Sequence, residues 1–122
     1  MPEDYIEVAD EFPEVSIIMA HLGLGDDGDP SHHVRAMQKC KHGNLYTDTS
    51  SASSLIANLL EWAVREIGAE RILYGSDSPL YFAPMQRARI DFADINEHEK
   101  RLILRDNAMR LFNLPANLAS NT

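Results

Sequence analysis

The stretch RILYGSD, residues 71–77, decides the predicted fold of this chain. Its first five residues predict a β-strand over 71–75, because a short apolar run bounded by glycine and polar residues is typical of a strand buried in a parallel sheet. The strand delivers the carboxylate of Asp77 directly beyond its carboxyl end. The other predicted strands indicate what an aspartate in this place can do.

Two earlier segments also predict buried strands. VSIIMA, residues 15–20, is rich in β-branched side chains, and NLYTD, residues 44–48, is shorter. The three predicted strands, near 15–20, 44–48 and 71–75, end about 28 residues apart, which leaves room for one helix and two loops each time. Strands that alternate with helices form βαβ units, so the sequence predicts an α/β fold with a parallel sheet.

Helices are predicted before, between and after the strands. Their ends carry recognisable signals, such as a capping box at Asn96 and Glu99 and a C-terminal stop at Gly68. The predicted helices cover residues 4–11, residues 31–41, Ser53 or Ser54 to Ile67, residues 83–93, and Asn96 to a point before Pro115. A frayed tail is expected over 116–122.

A parallel sheet of three strands is expected to be part of a larger one. Both outer strands would have open edges, and unpaired strand edges invite pairing with other chains. No lysine or proline lies inside the three predicted strands to protect those edges. We therefore expect residues 1–115 to form the C-terminal part of a barrel, completed by the missing barrel half or by self-association.

Length, charge and composition limit the class of protein. A chain of 122 residues predicts one domain, and a net charge of −8 argues against a nucleic-acid partner, because phosphate binding requires clustered Lys and Arg. No apolar run approaches the roughly 20 residues that cross a membrane, so no membrane partner is expected. The single cysteine, Cys40, cannot form an internal disulfide, and the first residues do not resemble a signal peptide. A cytoplasmic location is therefore expected.

The chemically useful side chains lie where the predicted strands end. His21 follows the first strand, Asp48 and Ser50 end the second, and Asp77 ends the third, so parallel strands would bring them to one rim. There a carboxylate can bind a metal ion and accept a proton from metal-bound water, and a histidine can polarise a carbonyl or bind a second metal. The alternative for Asp77 is structural, as a helix cap or turn former. Residues 48–50 predict a hydrogen-bond cluster that closes the loop.

The other histidines and the cysteine predict structural roles. Adjacent residues on a helix do not face each other, so His32 and His33 are expected on the solvated surface and not as a metal pair. His42 is expected at the C-terminal end of a helix, His98 in an exposed first turn, and Cys40 in the core.

A flavodoxin-like fold is a further alternative for alternating strands and helices. It would require a phosphate-binding loop after the first strand. Acidic residues at positions 26, 27 and 29 of that loop argue against it, and the glycines nearby do not form a dinucleotide fingerprint.

Four stretches, in order, resemble the C-terminal part of the amidohydrolase-related family, the type 2 group of metal-dependent amidohydrolases. FPEVSIIMAHLG, residues 12–23, is similar to the strand that ends in the family's catalytic histidine, and GNLYTDTSS, residues 43–51, to the next strand and its substrate-side loop. IGAERILYGSDSPL, residues 67–80, is similar to the final barrel strand with its metal-binding aspartate. RLILRDNAMRLFNL, residues 101–114, is similar to the closing helix.

The resemblance implies a TIM-type (β/α)8 barrel, of which this chain would form the last three βα units and the closing helix. It also implies a divalent metal at the C-terminal rim, usually zinc, with manganese as the alternative. His21 matches the histidine that polarises the substrate or assists proton transfer, and it is a secondary candidate as a metal ligand. Asp77 matches the aspartate that binds the metal and moves a proton from its water. Ser50 lies where a substrate contact is expected.

The implied activity is hydrolysis of a C–N, C–O or lactone bond by metal-activated water, in a small carboxylate, amide or lactone substrate. Similar enzymes decarboxylate acids without hydrolysis, which is the first alternative. The family's His-x-His pair and a further metal-binding histidine have no match in this chain. We therefore expect an incomplete metal site in what would be a fragment of a longer product, and an inactive remnant or interaction module is the second alternative.

Overall fold

The computed structural model of the chain describes residues 1–121, with the side chains of residues 1–118. Three short strands, β1 to β3, alternate with six α-helices, α1 to α6. The strands are β1 (Ile17–Met19), β2 (Leu45–Asp48) and β3 (Ile72–Leu73). The helices are α1 (Tyr5–Glu11), α2 (His32–Lys39), α3 (Leu59–Ile67), α4 (Ala83–Asp91), α5 (Glu97–Arg101) and α6 (Asn107–Leu111). Shorter helical segments are 3-10 turns at Pro2–Asp4, Ala52–Leu55 and Ala116–Asn121, and a π-helical segment, Leu102–Asp106, that joins α5 to α6.

The sheet is parallel, as the sequence predicts, and its strand order is β1-β2-β3. Ile17 pairs with Leu45, and Thr47 pairs with Ile72, so the ends of the three strands lie side by side. The strands are shorter than predicted because, near their ends, hydrogen bonds to side chains replace the backbone hydrogen bonds between strands. The Gly75 N–H, for example, donates to the Thr49 hydroxyl and not to a backbone carbonyl of β2.

The helices pack on one face of the sheet. Alternating strand side chains such as Met19, Leu45 and Ile72 face them and are buried, which fixes the register of each strand. One apolar cluster joins α1 and α2 to the strands: Ala9, Met19, Ala36, Met37, Cys40 and Leu45. A second joins α3, α4 and the C-terminal helices: Leu22, Val34, Leu59, Leu60, Ala63, Val64, Ala69, Ile72, Ile90, Ala93, Leu102 and Ile103.

The expectation of two open sheet edges is wrong at β3. The N–H of Tyr74 donates to the carbonyl of Ile103 in the π-helical segment, 2.9 Å away. The buried amide of Asn107 donates to the carbonyls of Ile72 (2.8 Å) and Ala69 (2.7 Å). The C-terminal helices therefore cover this edge with their own polar groups, and a covered edge is protected from pairing with another chain. The edge of β1 carries no further strand among the described residues.

The long helix predicted from Ser53 or Ser54 to Ile67 is also wrong. The structure has a 3-10 turn at Ala52–Leu55, and α3 begins only at Leu59 because Asn58 is left-handed, with φ 64°. The hydroxyl of Ser54 lies within hydrogen-bond distance of the loop carbonyls of Thr49 and Ser51, so it stabilises the loop after β2 and not a helix start. The capping box at Asn96 and Glu99 is confirmed.

The prediction of a solvated His32 and His33 is wrong. His33 is buried, and its Nε2–H donates to the carbonyl of Ala20, 2.8 Å away. His32 lies between Glu3 (2.8 Å) and Asp27 (2.9 Å), and these two hydrogen bonds, Glu3 first, raise the pKa of His32. The N-terminal residues fold over the start of α2, and nothing in the local sequence indicates this cover.

The remaining structural predictions concern two histidines, the cysteine and the C-terminal tail. His98 is exposed and Cys40 is buried, as expected. The prediction that His42 lies at the C-terminal end of a helix is wrong, because α2 ends at Lys39 with Cys40 as its C-cap, and His42 is exposed beyond it. Residues 116–121 of the expected frayed tail are described as a 3-10 turn, whereas Thr122 lies outside the described residues. In the part of the chain that the structure describes, no helix is both long and apolar enough to cross a membrane.

A paired carboxylate and guanidinium join α3 to α4. Arg89 donates from two nitrogens to the two carboxylate oxygens of Glu61, at 3.0 and 2.5 Å, and both side chains are largely buried. The N–H of Asp94 also donates to Glu61, 3.3 Å away. The hydrogen bonds from Arg89 lower the pKa of Glu61 from its usual 4.5 to about 2.

The pair predicts a specific dependence of stability on pH. Because folding lowers the pKa of Glu61, the folded state binds fewer protons there, so the stabilisation is complete above about pH 5 and is lost as the pH falls towards 2. The free energy of unfolding of the natural chain should exceed that of Glu61→Gln by about 3 kcal/mol at neutral pH, and the difference should shrink towards zero at pH 2. Urea unfolding of both proteins at several pH values measures this difference in the free energy of unfolding. Glu66→Gln, on the exposed side of α3, is the control, and a difference that does not vary with pH would contradict the prediction.

Candidate active site

The carboxyl ends of all three strands share an uncommon backbone conformation. His21, just beyond β1, has φ 67°, Ser51, beyond β2, has φ 70°, and Asp77, beyond β3, has φ 56°. Non-glycine residues seldom adopt positive φ, and those that do are concentrated at functional sites, where the surrounding structure holds the strained backbone in place. Because the strands are parallel, these three residues belong to one rim of the sheet.

A hydrogen-bonded cluster of His21, Ser50 and Asp48 joins the ends of β1 and β2. The Nδ1 of His21 lies 2.7 Å from the hydroxyl oxygen of Ser50. That hydroxyl donates a short hydrogen bond to Oδ1 of Asp48. The same Oδ1 accepts the backbone N–H of Ser50 (2.9 Å) and that of His21 (3.1 Å). The sequence predicts a cluster at residues 48–50, and the structure adds His21 to it.

The end of β3 lies directly against this cluster. The N–H of Gly75 donates to the hydroxyl of Thr49, 3.1 Å away. A Cβ atom at position 75 would lie only 3.0 Å from Cβ of Ser50 and 3.3 Å from Cγ of Asp48. A glycine is therefore needed for β3 to approach β2 so closely, and Asp77 follows two residues further along the rim.

The Asp77 carboxylate and Nε2 of His21 have no hydrogen-bond partners on the rim among the described residues. Asp77 is half-buried, its carbonyl accepts the N–H of Tyr81 (3.2 Å), and no described residue bonds its carboxylate. Nε2 of the half-buried His21 likewise has no hydrogen-bond partner among the residues whose side chains are described, 1–118. The structure thus brings His21, Ser50 and Asp48 into contact and leaves Asp77 on the same rim without a direct bond to them.

The described residues do not fit a complete metal centre. A catalytic zinc usually has three protein ligands. Within residues 1–121 there is no group of three or more His, Cys, Asp or Glu side chains placed to hold an ion. Asp77, whose carboxylate is unpaired, is the side chain best placed to contribute one ligand.

Sequence reasoning placed Thr49 in the cluster at residues 48–50 but missed its bond to the end of β3 and missed Gly75 as a positioning residue. It treated Gly75 only as the end of a strand, whereas Gly75 sets the distance between β3 and the cluster. The signal available was the pattern of a glycine after one strand and an Asp-Thr-Ser run after the neighbouring strand. That pattern becomes informative only once the two strands are known to pair.

Comparison with known proteins identifies the family. A model of the amidohydrolase family matches residues 1–114. The chain belongs to the amidohydrolase family. The resemblance stated from the sequence is thereby confirmed. No curated protein sequence matches the chain.

Solved structures of the amidohydrolase fold extend well beyond this chain. The 2,6-dihydroxybenzoate decarboxylase from Rhizobium matches with a TM-score of 0.68 and 26% identity, over 88% of this chain and 37% of that one. A dihydroxybenzoic acid decarboxylase from Polaromonas sp. JS666, with bound manganese, matches with a TM-score of 0.67 and 24% identity, over 89% and 37%. An amidohydrolase from Burkholderia multivorans with bound zinc matches with a TM-score of 0.67 and 17% identity, over 93% and 50%.

These matches confirm the predicted fold class. The chain is an α/β structure with the parallel βα units of a TIM-type barrel, and it spans between 37% and 50% of the length of these neighbours. The last two neighbours, at less than 25% identity, establish the fold alone.

Proposed function

We propose that residues 1–115 form the last three βα units of a metal-dependent decarboxylase and carry the part of its active site that includes His21 and Asp77. The substrate class is a small aromatic carboxylate. The observation that carries the proposal is the rim itself: a histidine held by Ser50 and Asp48, beside an unpaired carboxylate, both on left-handed backbone. The identity of 26% with a 2,6-dihydroxybenzoate decarboxylase supports decarboxylation over hydrolysis.

The chemistry of the two side chains suits this reaction. Decarboxylation breaks the bond between the ring carbon and the carboxylate, releases CO2 and puts a proton on that carbon. A proton donor must therefore lie at the rim, and Nε2 of His21 and the carboxyl group of Asp77 are both able to hold a proton there. Ser50, predicted as a substrate contact, already donates its hydroxyl proton to Asp48, so any contact with a substrate would use its remaining lone pair.

A divalent metal, manganese or zinc, would be held in part by Asp77, with His21 as the second candidate. The other ligands would come from a barrel half outside the described residues or from a second copy of the chain. Hydrolysis of a C–N, C–O or lactone bond at the same rim is the second candidate function, and membership of the amidohydrolase family supports it.

Manganese titration tests whether the rim contributes to a metal site. Mn²⁺ broadens the NMR signals of nearby residues, so substoichiometric Mn²⁺ should broaden residues 20–22, 48–51 and 75–78 first. Asp77→Asn should abolish this broadening, whereas Asp26→Asn, in the exposed acidic loop, should leave it unchanged. Broadening centred on residues 26–29 in the natural chain would contradict a metal at the rim.

A labelled substrate tests the reaction. With manganese or zinc present, the chain should release labelled CO2 from carboxyl-labelled 2,6-dihydroxybenzoate. His21→Asn and Asp77→Asn should each reduce the rate at least about 100-fold, because each removes a proton-carrying group. His98→Asn, which alters an exposed histidine on α5, is the control. Hydrolysis of a lactone or amide without release of CO2 would favour the second candidate. If metal binds at the rim and the chain shows neither decarboxylation nor hydrolysis, an enzymatic role for this chain alone is contradicted.

A further inference from the structure

We propose that Ser50 and Asp48 are positioning residues that hold the neutral His21 ring in its Nδ1–H tautomer, so that Nε2 faces the rim as a free acceptor. The inference rests on the proposed function for its catalytic meaning, since it names the nitrogen that would exchange protons with a substrate. The tautomer itself follows from the hydrogen bonds of the cluster and can be measured without any activity.

The direction of each hydrogen bond in the cluster follows from Asp48. Its Oδ1 accepts two backbone N–H groups, those of His21 and Ser50, and a carboxylate oxygen offers only lone pairs. The hydroxyl of Ser50 must therefore give its single proton to this oxygen. Only lone pairs remain on the Ser50 oxygen for the histidine, so Nδ1 of His21, 2.7 Å away, must carry a proton and donate it.

The backbone of His21 is fixed by the same aspartate. Its own N–H donates to the carboxylate of Asp48, and the N–H of Leu22 donates to the main-chain carbonyl of Asp48, 2.9 Å away. These two bonds hold the left-handed backbone of His21 on both sides of its Cα. A rotation of the ring by 180° would replace Nδ1 with a carbon atom and lose the bond to Ser50. Backbone and ring are thus held by one pair of residues.

The tautomer matters because an unrestrained neutral imidazole prefers the proton on Nε2. In that form Nε2 could only donate, whereas the cluster leaves it as an acceptor when the ring is neutral and as a donor when the ring is charged. A hydrogen bond to the other ring nitrogen is the usual way in which proteins select the tautomer of a functional histidine.

His33 provides an internal reference of the opposite kind. Its Nε2 lies 2.8 Å from the carbonyl oxygen of Ala20, which can only accept, so His33 must be the Nε2–H tautomer. Its Nδ1 is buried without a hydrogen-bond partner among the described residues. Burial lowers the pKa of His33, so its ring is neutral across the range in which tautomers are measured. One spectrum should therefore contain both tautomers.

Long-range ¹H–¹⁵N NMR of the imidazole rings tests the inference, because the protonated and unprotonated ring nitrogens resonate far apart. At about pH 9, well above the usual histidine pKa, His21 of the natural chain should be Nδ1–H and His33 should be Nε2–H. An Nε2–H tautomer at His21 in the natural chain would overturn the inference, whatever any variant does.

The variants test each link. Ser50→Ala should convert His21 largely to Nε2–H, and Ser50→Thr, which keeps the hydroxyl, should retain Nδ1–H. Asp48→Ala should also convert His21, since the freed Ser50 hydroxyl can then donate to Nδ1. Ser53→Ala is the control, because the Ser53 hydroxyl lies 3.5 Å from the main-chain carbonyl of His21 and does not bond its ring. This variant should leave the His21 tautomer unchanged. Retention of Nδ1–H in Ser50→Ala would overturn the inference.

The two proposals can fail separately. An Nδ1–H tautomer in a chain that binds metal at the rim and releases no CO2 would support the positioning role and contradict an enzymatic role for this chain alone. Decarboxylation by a chain whose His21 is Nε2–H would support the function and contradict the positioning role.

Discussion

The rim of this sheet depends on one carboxylate oxygen. Oδ1 of Asp48 accepts three donors, the N–H of His21, the N–H of Ser50 and the hydroxyl of Ser50, and so joins the end of β1 to the end of β2. Each donor belongs to a residue that must leave the regular strand geometry at this point. A buried or half-buried carboxylate stabilises such loops because hydrogen bonds to a charged acceptor are stronger than those between neutral groups. Gly75 then allows β3 to lie against the same group.

The outer edge of β3 is stabilised in a different way. The C-terminal helices turn back over β3 and satisfy its outer polar groups, through the carbonyl of Ile103 and the amide of Asn107. The π-helical segment between α5 and α6 lies at this contact. The result is a sheet with one covered edge and one edge, at β1, without a further strand in the described part of the chain. That asymmetry fits a chain that corresponds to between 37% and 50% of longer barrel proteins.

The sequence predicts the strands, their parallel order and the rim well, because these follow from local patterns. Periodic apolar runs and the residues that end them are enough to place His21 and Asp77 at strand ends. The contacts that the sequence does not predict join residues far apart in the chain. The hydrogen bond of His32 to Glu3 crosses 29 positions, as does that of His21 to Ser50. The covered edge of β3 depends on Asn107. The break at Asn58 is a local feature, but the serines before it carry the same signal as a helix cap.

We propose that small carboxylates bind at the rim that carries His21 and Asp77. The alternative binding site for a small carboxylate is a groove of about 350 Å³ beside β1. Its lining includes Met1, Tyr5, Ile18 and Leu24. Titration of the isotope-labelled chain with 2,6-dihydroxybenzoate, in the presence of zinc, measures which residues respond. If the carboxylate binds at the rim, the largest NMR shift changes are expected at His21, Ser50, Ser51 and Asp77. Changes confined to the groove beside β1, with the rim unaffected, would contradict it.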